Sequence, residues 1–103
     1  MKIKMLWDDL SRWSQKTFGD DSKRGPIGSL KGLKLEADEA IQSGEIEEFA
    51  DCFIFILDAA RRAGLTYIQL IDAAIAKLKV NETRMYPKPL ADETVHHIER
   101  CVQ

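Results

Sequence analysis

The spacing of apolar residues is the feature that most restricts how this chain can fold. Apolar side chains recur three or four residues apart through nearly the whole sequence, and no stretch shows the alternation typical of a half-buried strand. The pattern predicts four helices, at about residues 4–17, 26–42, 45–63 and 66–85, with Pro26 and Ser29 as the two possible starts of the second. Four helices with short connections predict an all-α fold with a four-helix bundle-like core, in a single domain of 103 residues.

Local signals mark the ends of these helices. Gly44 suits the left-handed position that closes a helix, Thr66 followed by Gln69 is a capping-box signal, and Pro87 stops the fourth helix. A further short helix is expected over residues 93–101, in a C-terminal tail that spans residues 87–103.

The third and fourth helices carry the longest apolar faces, which are predicted to be buried. On the third helix the face consists of Ile46, Phe49, Cys52, Phe53, Ile56, Leu57 and Ala60, and on the fourth of Ile68, Ile71, Ala74, Ile75 and Leu78. Since a chain this short builds a modest core, any apolar face left uncovered would favour self-association.

Charge and composition exclude several classes of function. The net charge of −2 argues against a nucleic-acid-binding protein, which usually shows a basic excess. No run approaches the ~18 apolar residues of a membrane span, and the N-terminus does not have the pattern of a signal peptide. Two cysteines, Cys52 and Cys101, provide neither a disulfide framework nor a zinc motif, so a cytoplasmic protein is expected.

Two pairs of acidic residues stand where the helices should build the core. Glu36 and Glu39 are three residues apart on the second helix, and Glu48 and Asp51 are three apart on the third, so the members of each pair share a helix face. A short connection at residues 43–44 makes these helices antiparallel neighbours and can place both pairs at one level.

Such a cluster would repel itself without a counter-ion. Two like charges ~4 Å apart cost about 4 kcal/mol near a protein surface, and residues 36–60 contain no Lys or Arg. Clustered carboxylates are hard ligands suited to Mg²⁺ or Mn²⁺, whereas zinc usually brings His or Cys. Solvated surface acids are the alternative, and the spacing alone leaves both interpretations open.

Further candidate residues lie on the first and fourth helices. Lys77, Asn81 and Arg84 are spaced i, i+4, i+7 and could bind phosphates, or could form a polar outer face near a helix C-terminus. Trp13 could stack on a base, although it also fits the apolar face of the first helix. Asp58 could approach the acidic cluster, but an ion pair with the arginines that follow it is the preferred interpretation.

The acidic pairs and the basic stripe together resemble a known enzyme superfamily. EADE at residues 36–39, EFAD at 48–51 and KLKVNETR at 77–84 are similar to the ExxE, ExxD and KxxxNxxR motifs of the MazG-type all-α nucleotide pyrophosphohydrolases. The phrases RGPIGSLKGLKLEADEAI, IEEFADCFIFILDAARRAG and YPKPLADETVHHIER resemble the phage and prophage branch described as dATP/dGTP pyrophosphohydrolases. The resemblance covers about residues 13–100.

This resemblance implies a fold, a reaction and a set of site residues. The family implies a homodimer or larger homo-oligomer, with Mg²⁺ held by residues that match Glu36, Glu39, Glu48 and Asp51; one of these can instead act as the general base. A metal-activated water would cleave the triphosphate between its α and β phosphorus atoms, giving a monophosphate and pyrophosphate. Lys77, Asn81 and Arg84 would then hold phosphates, as their motif positions imply.

Two positions depart from the branch. It usually carries a larger residue, often His, where this chain has Gly32, and often Trp where this chain has Tyr86. Neither belongs to the metal set, and both bear on how the base or sugar is held. Two alternatives stay open: the same chemistry on another nucleotide, and a catalytically silent helical module that binds a host or phage protein.

Overall fold

Four α-helices account for most of the described chain. The computed structural model describes residues 1–89, 94 and 95, in which the helices are α1 (Lys2–Phe18), α2 (Ile27–Ser43), α3 (Ile46–Arg62) and α4 (Tyr67–Glu82). The all-α prediction is confirmed. The helix predicted over residues 93–101 lies outside the described residues. Among the described helices, none combines the length and the apolar character that crossing a bilayer requires.

A tight turn joins α2 and α3 into an antiparallel hairpin. Gly44 lies in the left-handed region with φ 66° and ψ 10°, and its N–H donates to the carbonyl of Ala40 at 2.9 Å. A glycine adopts this conformation without the steric cost that a Cβ brings. Only Gly44 and Glu45 separate the two helices, so α3 returns alongside α2 over its length.

Charged residues stabilise both ends of α3. Glu47 and Glu48 lie in its first turn, and Arg61 and Arg62 lie in its last turn. Each pair opposes the partial charge that the helix dipole places at that end. The acids of the first turn therefore need no catalytic role to be compatible with the helix.

The start of α4 is fixed by the capping box that the sequence predicts. The backbone N–H of Thr66 donates to Gln69 Oε1 at 2.9 Å, and the N–H of Gln69 donates to Thr66 Oγ1 at 3.1 Å. Both donors would otherwise lack a partner within the helix.

The chain divides into two compact units, Met1–Leu70 and Ile71–Gln103. The core of the first unit consists of Trp7 and Leu10 from α1 with Leu57 and Ala60 from α3. Tyr67, at the start of α4, tilts against Trp7 with ring centroids 6.3 Å apart. In the second unit the described helical residues 71–82 include no fully buried side chain.

The prediction that the apolar faces of α3 and α4 are buried throughout is wrong within a single chain. Ile46, Phe49, Phe53 and Ile56 on α3 are exposed, as are Ile68, Ile71, Ile75 and Leu78 on α4. Leu57 and Ala60 alone among the fully buried residues belong to the predicted α3 face. The period of the apolar residues was correct, but the described part of the chain leaves these side chains between 37% and 76% exposed.

Candidate active site

Three carboxylates from the α2–α3 hairpin converge on one point. Glu36, Glu39 and Glu48 each offer a carboxylate oxygen, and these oxygens all lie within 4.8 Å of one another. Glu39 precedes the Gly44 turn by five residues and Glu48 follows it by four, so the antiparallel helices bring both to one level. This convergence agrees with the sequence prediction for these three acids.

Asp51 lies beside this cluster rather than inside it. It is exposed, one turn after Glu48 on α3, and lines the same cavity as Glu36. Its negative charge is among the causes that raise the pKa of both Glu36 and Glu48.

Glu36 has the most unusual surroundings of the four. Its Oε2 atom is buried, and no donor among the described residues forms a hydrogen bond with it. The pKa of Glu36 is raised to about 6: burial is the largest cause, followed by the hydrogen bond and charge of Glu39 and then by the charges of Asp51 and Glu48. Burial, followed by the hydrogen bond and charge of Glu39, likewise raises the pKa of Glu48.

These carboxylates fit a divalent metal ion of the hard class. All the candidate ligands are oxygens, as Mg²⁺ and Mn²⁺ prefer, and a cation would satisfy the orphaned Glu36 oxygen. It would also oppose a repulsion that no Lys or Arg of residues 36–60 offsets. The buried oxygen without a hydrogen bond and the clustered charge distinguish these carboxylates from ordinary exposed acids and make them suitable ligands for such an ion.

A cavity of about 580 Å³ extends from the carboxylates between α1, α2 and α3. This volume is within the usual range of small-molecule sites. Glu36 and Asp51 line the part nearest the Gly44 turn, while Gly28, Ser29 and Asp58 line the part farther from it. The first unit thus provides a carboxylate cluster that adjoins a ligand-sized space.

Aromatic residues border this cavity on the α1 side. Trp13 is 53% exposed and meets the ring of Phe18 edge to face, with centroids 5.2 Å apart. The guanidinium of Arg24 lies over the Phe18 ring, 5.8 Å from its centroid. Trp13 is therefore a wall of the cavity rather than a core residue; the core position on α1 belongs to Trp7.

A buried ion network underlies the cavity. Asp58 accepts hydrogen bonds from the hydroxyls of Ser14 at 2.8 Å and Ser29 at 3.0 Å. It also forms ion pairs with Arg61 at 2.9 Å and Arg62 at 3.2 Å, which confirms the preferred interpretation of Asp58. Burial alone would raise the pKa of Asp58, but the hydrogen bonds from Ser14, Arg61 and Ser29 and the charge of Arg61 hold that pKa below its usual value.

The same arginines attach the loop between α1 and α2. Arg62 donates to the carbonyls of Gly19 at 3.0 Å and Arg24 at 3.3 Å, and Arg61 pairs with Asp21 at 2.5 Å. The loop that carries Arg24 is therefore tied to the end of α3.

The predicted phosphate-binding residues belong to the second unit. Lys77 and Asn81 lie on α4, Lys77 exposed and Asn81 half-buried. Arg84 lies in the turn after the helix, where its Nη1 donates to Asn81 Oδ1 at 3.4 Å. The expectation that Arg84 continues a helical face is wrong, because the chain tightens into i→i+3 hydrogen bonds at Thr83 and Arg84.

Several residues around the cavity escaped the sequence interpretation. Ser14 and Ser29 look like surface residues in a periodicity pattern, yet both are buried. No sequence signal indicates the close contact between Gly32 and Phe55, which lies one turn after Asp51 on α3. The sequence hint of the ion network is the pair Arg61 and Arg62, three and four residues after Asp58, a spacing that places them beside it on a helix.

Comparison with known proteins identifies the family. The profile of the family described as dATP/dGTP pyrophosphohydrolase matches residues 6–103. The Eaa protein of Salmonella phage P22 is 41% identical over 89 residues, which are 86% of this chain and 27% of that protein. The dATP/dGTP diphosphohydrolase of Salmonella phage PMBT28 is 35% identical over 91 residues, 86% of this chain and 29% of that protein. The chain thus spans less than a third of the length of these two relatives.

A solved structure supports the same assignment. The MazG-like pyrophosphohydrolase of cyanophage S-2L, described as bound to dGDP and three catalytic Mn²⁺ ions per active site, superposes with a TM-score of 0.72. It is 26% identical, and the match covers 95% of this chain and 94% of that one. The resemblance inferred from the motifs is confirmed, and the chain belongs to the dATP/dGTP pyrophosphohydrolase family.

Proposed function

We propose that this chain catalyses the divalent-metal-dependent hydrolysis of dATP or dGTP to the nucleoside monophosphate and pyrophosphate. The observation that carries the proposal is the buried Glu36 oxygen without a hydrogen-bond donor, inside a cluster of three carboxylates. Family membership and the name of the PMBT28 relative support this reaction and the purine deoxynucleotide substrate.

Glu36, Glu39, Glu48 and Asp51 are the residues that would hold the metal. Mg²⁺ is the expected ion, with Mn²⁺ able to substitute, and the Mn²⁺ ions named for the S-2L neighbour support a divalent metal. When bound, such an ion lowers the pKa of a water and neutralises charge on the phosphates.

The reaction requires a proton acceptor and a set of phosphate ligands. A water oxygen bonds to the α-phosphorus, the bond from that phosphorus to the α–β bridging oxygen breaks, and pyrophosphate departs. One carboxylate of the cluster accepts the proton of the attacking water. Lys77 and Arg84 oppose the remaining phosphate charge, and the side-chain amide of Asn81 donates a hydrogen bond to a phosphate oxygen. Trp13 provides an aromatic face for the base.

A homodimer or homotetramer is the proposed assembly. Its support is the apolar stripe on α3 formed by Ile46, Phe49, Phe53 and Ile56, whose exposure in the described structure runs from 76% at Ile46 to 37% at Ile56. Large exposed apolar patches are typical of interaction sites. The cytoplasm is the proposed location, and it is that of the bacterial host if the protein is phage-encoded, as the two relatives are.

Pyrophosphate release from the purified protein tests this function. We expect release from dATP and dGTP in Mg²⁺ or Mn²⁺, with the monophosphate as co-product, and none in EDTA. A panel of four dNTPs and four NTPs would reveal any other preferred nucleotide. A folded protein that releases pyrophosphate from none of them would contradict the proposal and favour a silent interaction module.

Glu39→Gln tests the assignment of the carboxylates. The substitution removes a charge from the cluster at an exposed position, so turnover should fall by at least ~100-fold while helix content is unchanged. Asp38→Asn is the matched control, because Asp38 is an exposed acid on the same helix outside the cluster. Equal activity of both variants would refute the assignment.

A further inference from the structure

The backbone of Gly32 on α2 lies directly against the ring of Phe55 on α3, beside the cavity. A Cβ atom at this position would lie 2.4 Å from Cε1, 2.7 Å from Cζ and 2.8 Å from Cδ1 of Phe55. The Phe55 ring therefore occupies the space that any side chain at residue 32 would need. Because Gly32 has no Cβ atom, the ring can pack directly against the α2 backbone.

The Phe55 ring lies in the layer next to the carboxylates. Gly32 precedes Glu36 by four residues and Phe55 follows Asp51 by four, which corresponds to about 6 Å along each helix axis. In an antiparallel hairpin both offsets point away from the Gly44 turn. Phe55 is half-buried and lines the cavity together with Glu36 and Asp51.

The polar groups farther along this cavity are already engaged. The Asp58 carboxylate accepts hydrogen bonds from the hydroxyls of Ser29 and Ser14. It also forms ion pairs with Arg61 and Arg62. The layer that follows the carboxylates is therefore apolar on its Phe55 side, and the nearest buried polar residues are occupied with one another.

We propose that Phe55, held in place by Gly32, is a specificity-determining residue that favours deoxyribose over ribose. The inference rests on the proposed function: with the phosphates at the carboxylates, the sugar is the next group along the nucleotide. A 2′-hydroxyl against the ring would lose its water without gaining a partner. Apolar pockets reject an added hydroxyl by up to about 100-fold.

The test compares kcat/KM for each deoxynucleotide with that for its ribonucleotide, dATP against ATP and dGTP against GTP. The wild-type protein should prefer the deoxynucleotide by ~10- to 100-fold. Phe55→Ala should reduce this ratio by ~10-fold or more, mainly through faster ribonucleotide hydrolysis, because space and water become available at the 2′ position. Phe53→Ala, which truncates an exposed phenylalanine of the same helix, should leave the ratio unchanged.

Substitutions at Gly32 provide a second, independent test of the role of Phe55. Gly32→Ala should displace the ring into the cavity and raise KM for the deoxynucleotides, and adding Phe55→Leu should restore KM because the smaller side chain leaves room for the Cβ. Phe55→Leu alone also serves if Phe55→Ala fails to fold, and should lower the selectivity ratio in the same direction. A general packing defect would instead grow worse in the double variant.

The outcomes separate this inference from the function on which it rests. Absence of hydrolysis of every nucleotide by the wild-type protein would refute the proposed function itself. Hydrolysis of both sugars at equal efficiency, or a selectivity ratio that Phe55→Ala and Phe55→Leu leave unchanged, would refute the role of Phe55 and leave the function intact.

Discussion

Glu36 illustrates at the residue scale how a functional position can oppose the stability of its own fold. The pKa of its carboxyl rises from an ordinary value of 4.5 to about 6 in the folded chain, with burial as the main cause. The folded protein therefore holds this proton more tightly than the unfolded chain does. Between about pH 4.5 and 6 the unfolded chain loses its proton first, so the free energy of unfolding falls as the pH rises.

A metal-free thermal melt can detect this effect. Between pH 4.5 and 6 the ionisation of Glu36 should lower the melting temperature of the wild-type protein as the pH rises. Glu36→Gln removes this ionisable group, so its melting temperature should decrease less over the same range. At pH 7 the metal-free variant should be more stable than the wild type, whereas added Mg²⁺ should stabilise the wild type more.

Asp38→Asn again serves as the control, because it neutralises an exposed acid on the same helix. An unaltered pH dependence in Glu36→Gln would contradict the assignment of the raised pKa to Glu36.

At the scale of elements, the ion network of Asp58 joins three helices and a loop. Its partners come from α1 through Ser14, α2 through Ser29 and α3 through Arg61 and Arg62. Removing one partner of a buried ion pair leaves an uncompensated charge, which usually costs ~3–5 kcal/mol. The lowered pKa of Asp58 means that its contribution is present above about pH 3.8 and is lost as the pH falls through the folded pKa.

Asp58→Asn should therefore destabilise the protein by ~3–5 kcal/mol at pH 7, because both arginines keep their charge, lose their buried counter-ion and retain only the more exposed carboxylate of Asp21. Urea unfolding followed by helix content measures this change. Asp72→Asn, at an exposed position of α4, should change stability by less than ~0.5 kcal/mol. Similar stability of the two variants would show that the network contributes little.

The features that could be predicted from the sequence are those fixed by contacts between residues close together in the chain. Gly44 and the Thr66–Gln69 capping box fix helix ends through contacts a few residues long, and both predictions hold. Glu39 and Glu48 lie at the same height along the hairpin because a two-residue connection joins two antiparallel helices.

Longer-range packing decides the residues that could not be predicted. Trp7 and Trp13 both fit a helical period, and only the position of α1 against α3 determines which is core. Likewise, the Phe55 ring fills the Gly32 space because two helices approach closely, an arrangement that neither residue signals alone.

At the scale of the whole molecule, the exposed apolar residues of α3 and α4 are the surface that bears on self-association. The α3 stripe, Ile46 to Ile56, has the spacing i, i+3, i+7, i+10, and Ile68 to Leu78 on α4 repeats that spacing. Each stripe has the period of a helix face that packs against another helix. Self-association would bury such a face and add core to a chain of modest size.

Ile46→Asp should weaken self-association by ~10-fold or more, because it introduces a charge into the α3 stripe. Ile27→Asp is a closely matched control: both isoleucines are the first residue of a helix, and they are 76% and 62% exposed. Molar mass by light scattering across a dilution series would separate the two variants. A wild-type protein that is monomeric at every concentration would refute the proposed assembly.

The location of the carboxylates, the cavity and the ion network within residues 1–70 has a consequence for synthesis. Every residue of these three features has been joined to the growing chain before residue 71 is added. Contacts between elements close in sequence, as in a hairpin with a two-residue connection, generally form quickly. Because domains generally fold as units and in N-terminal order during synthesis, residues 1–70 can form the acidic cluster once they have emerged from the ribosome.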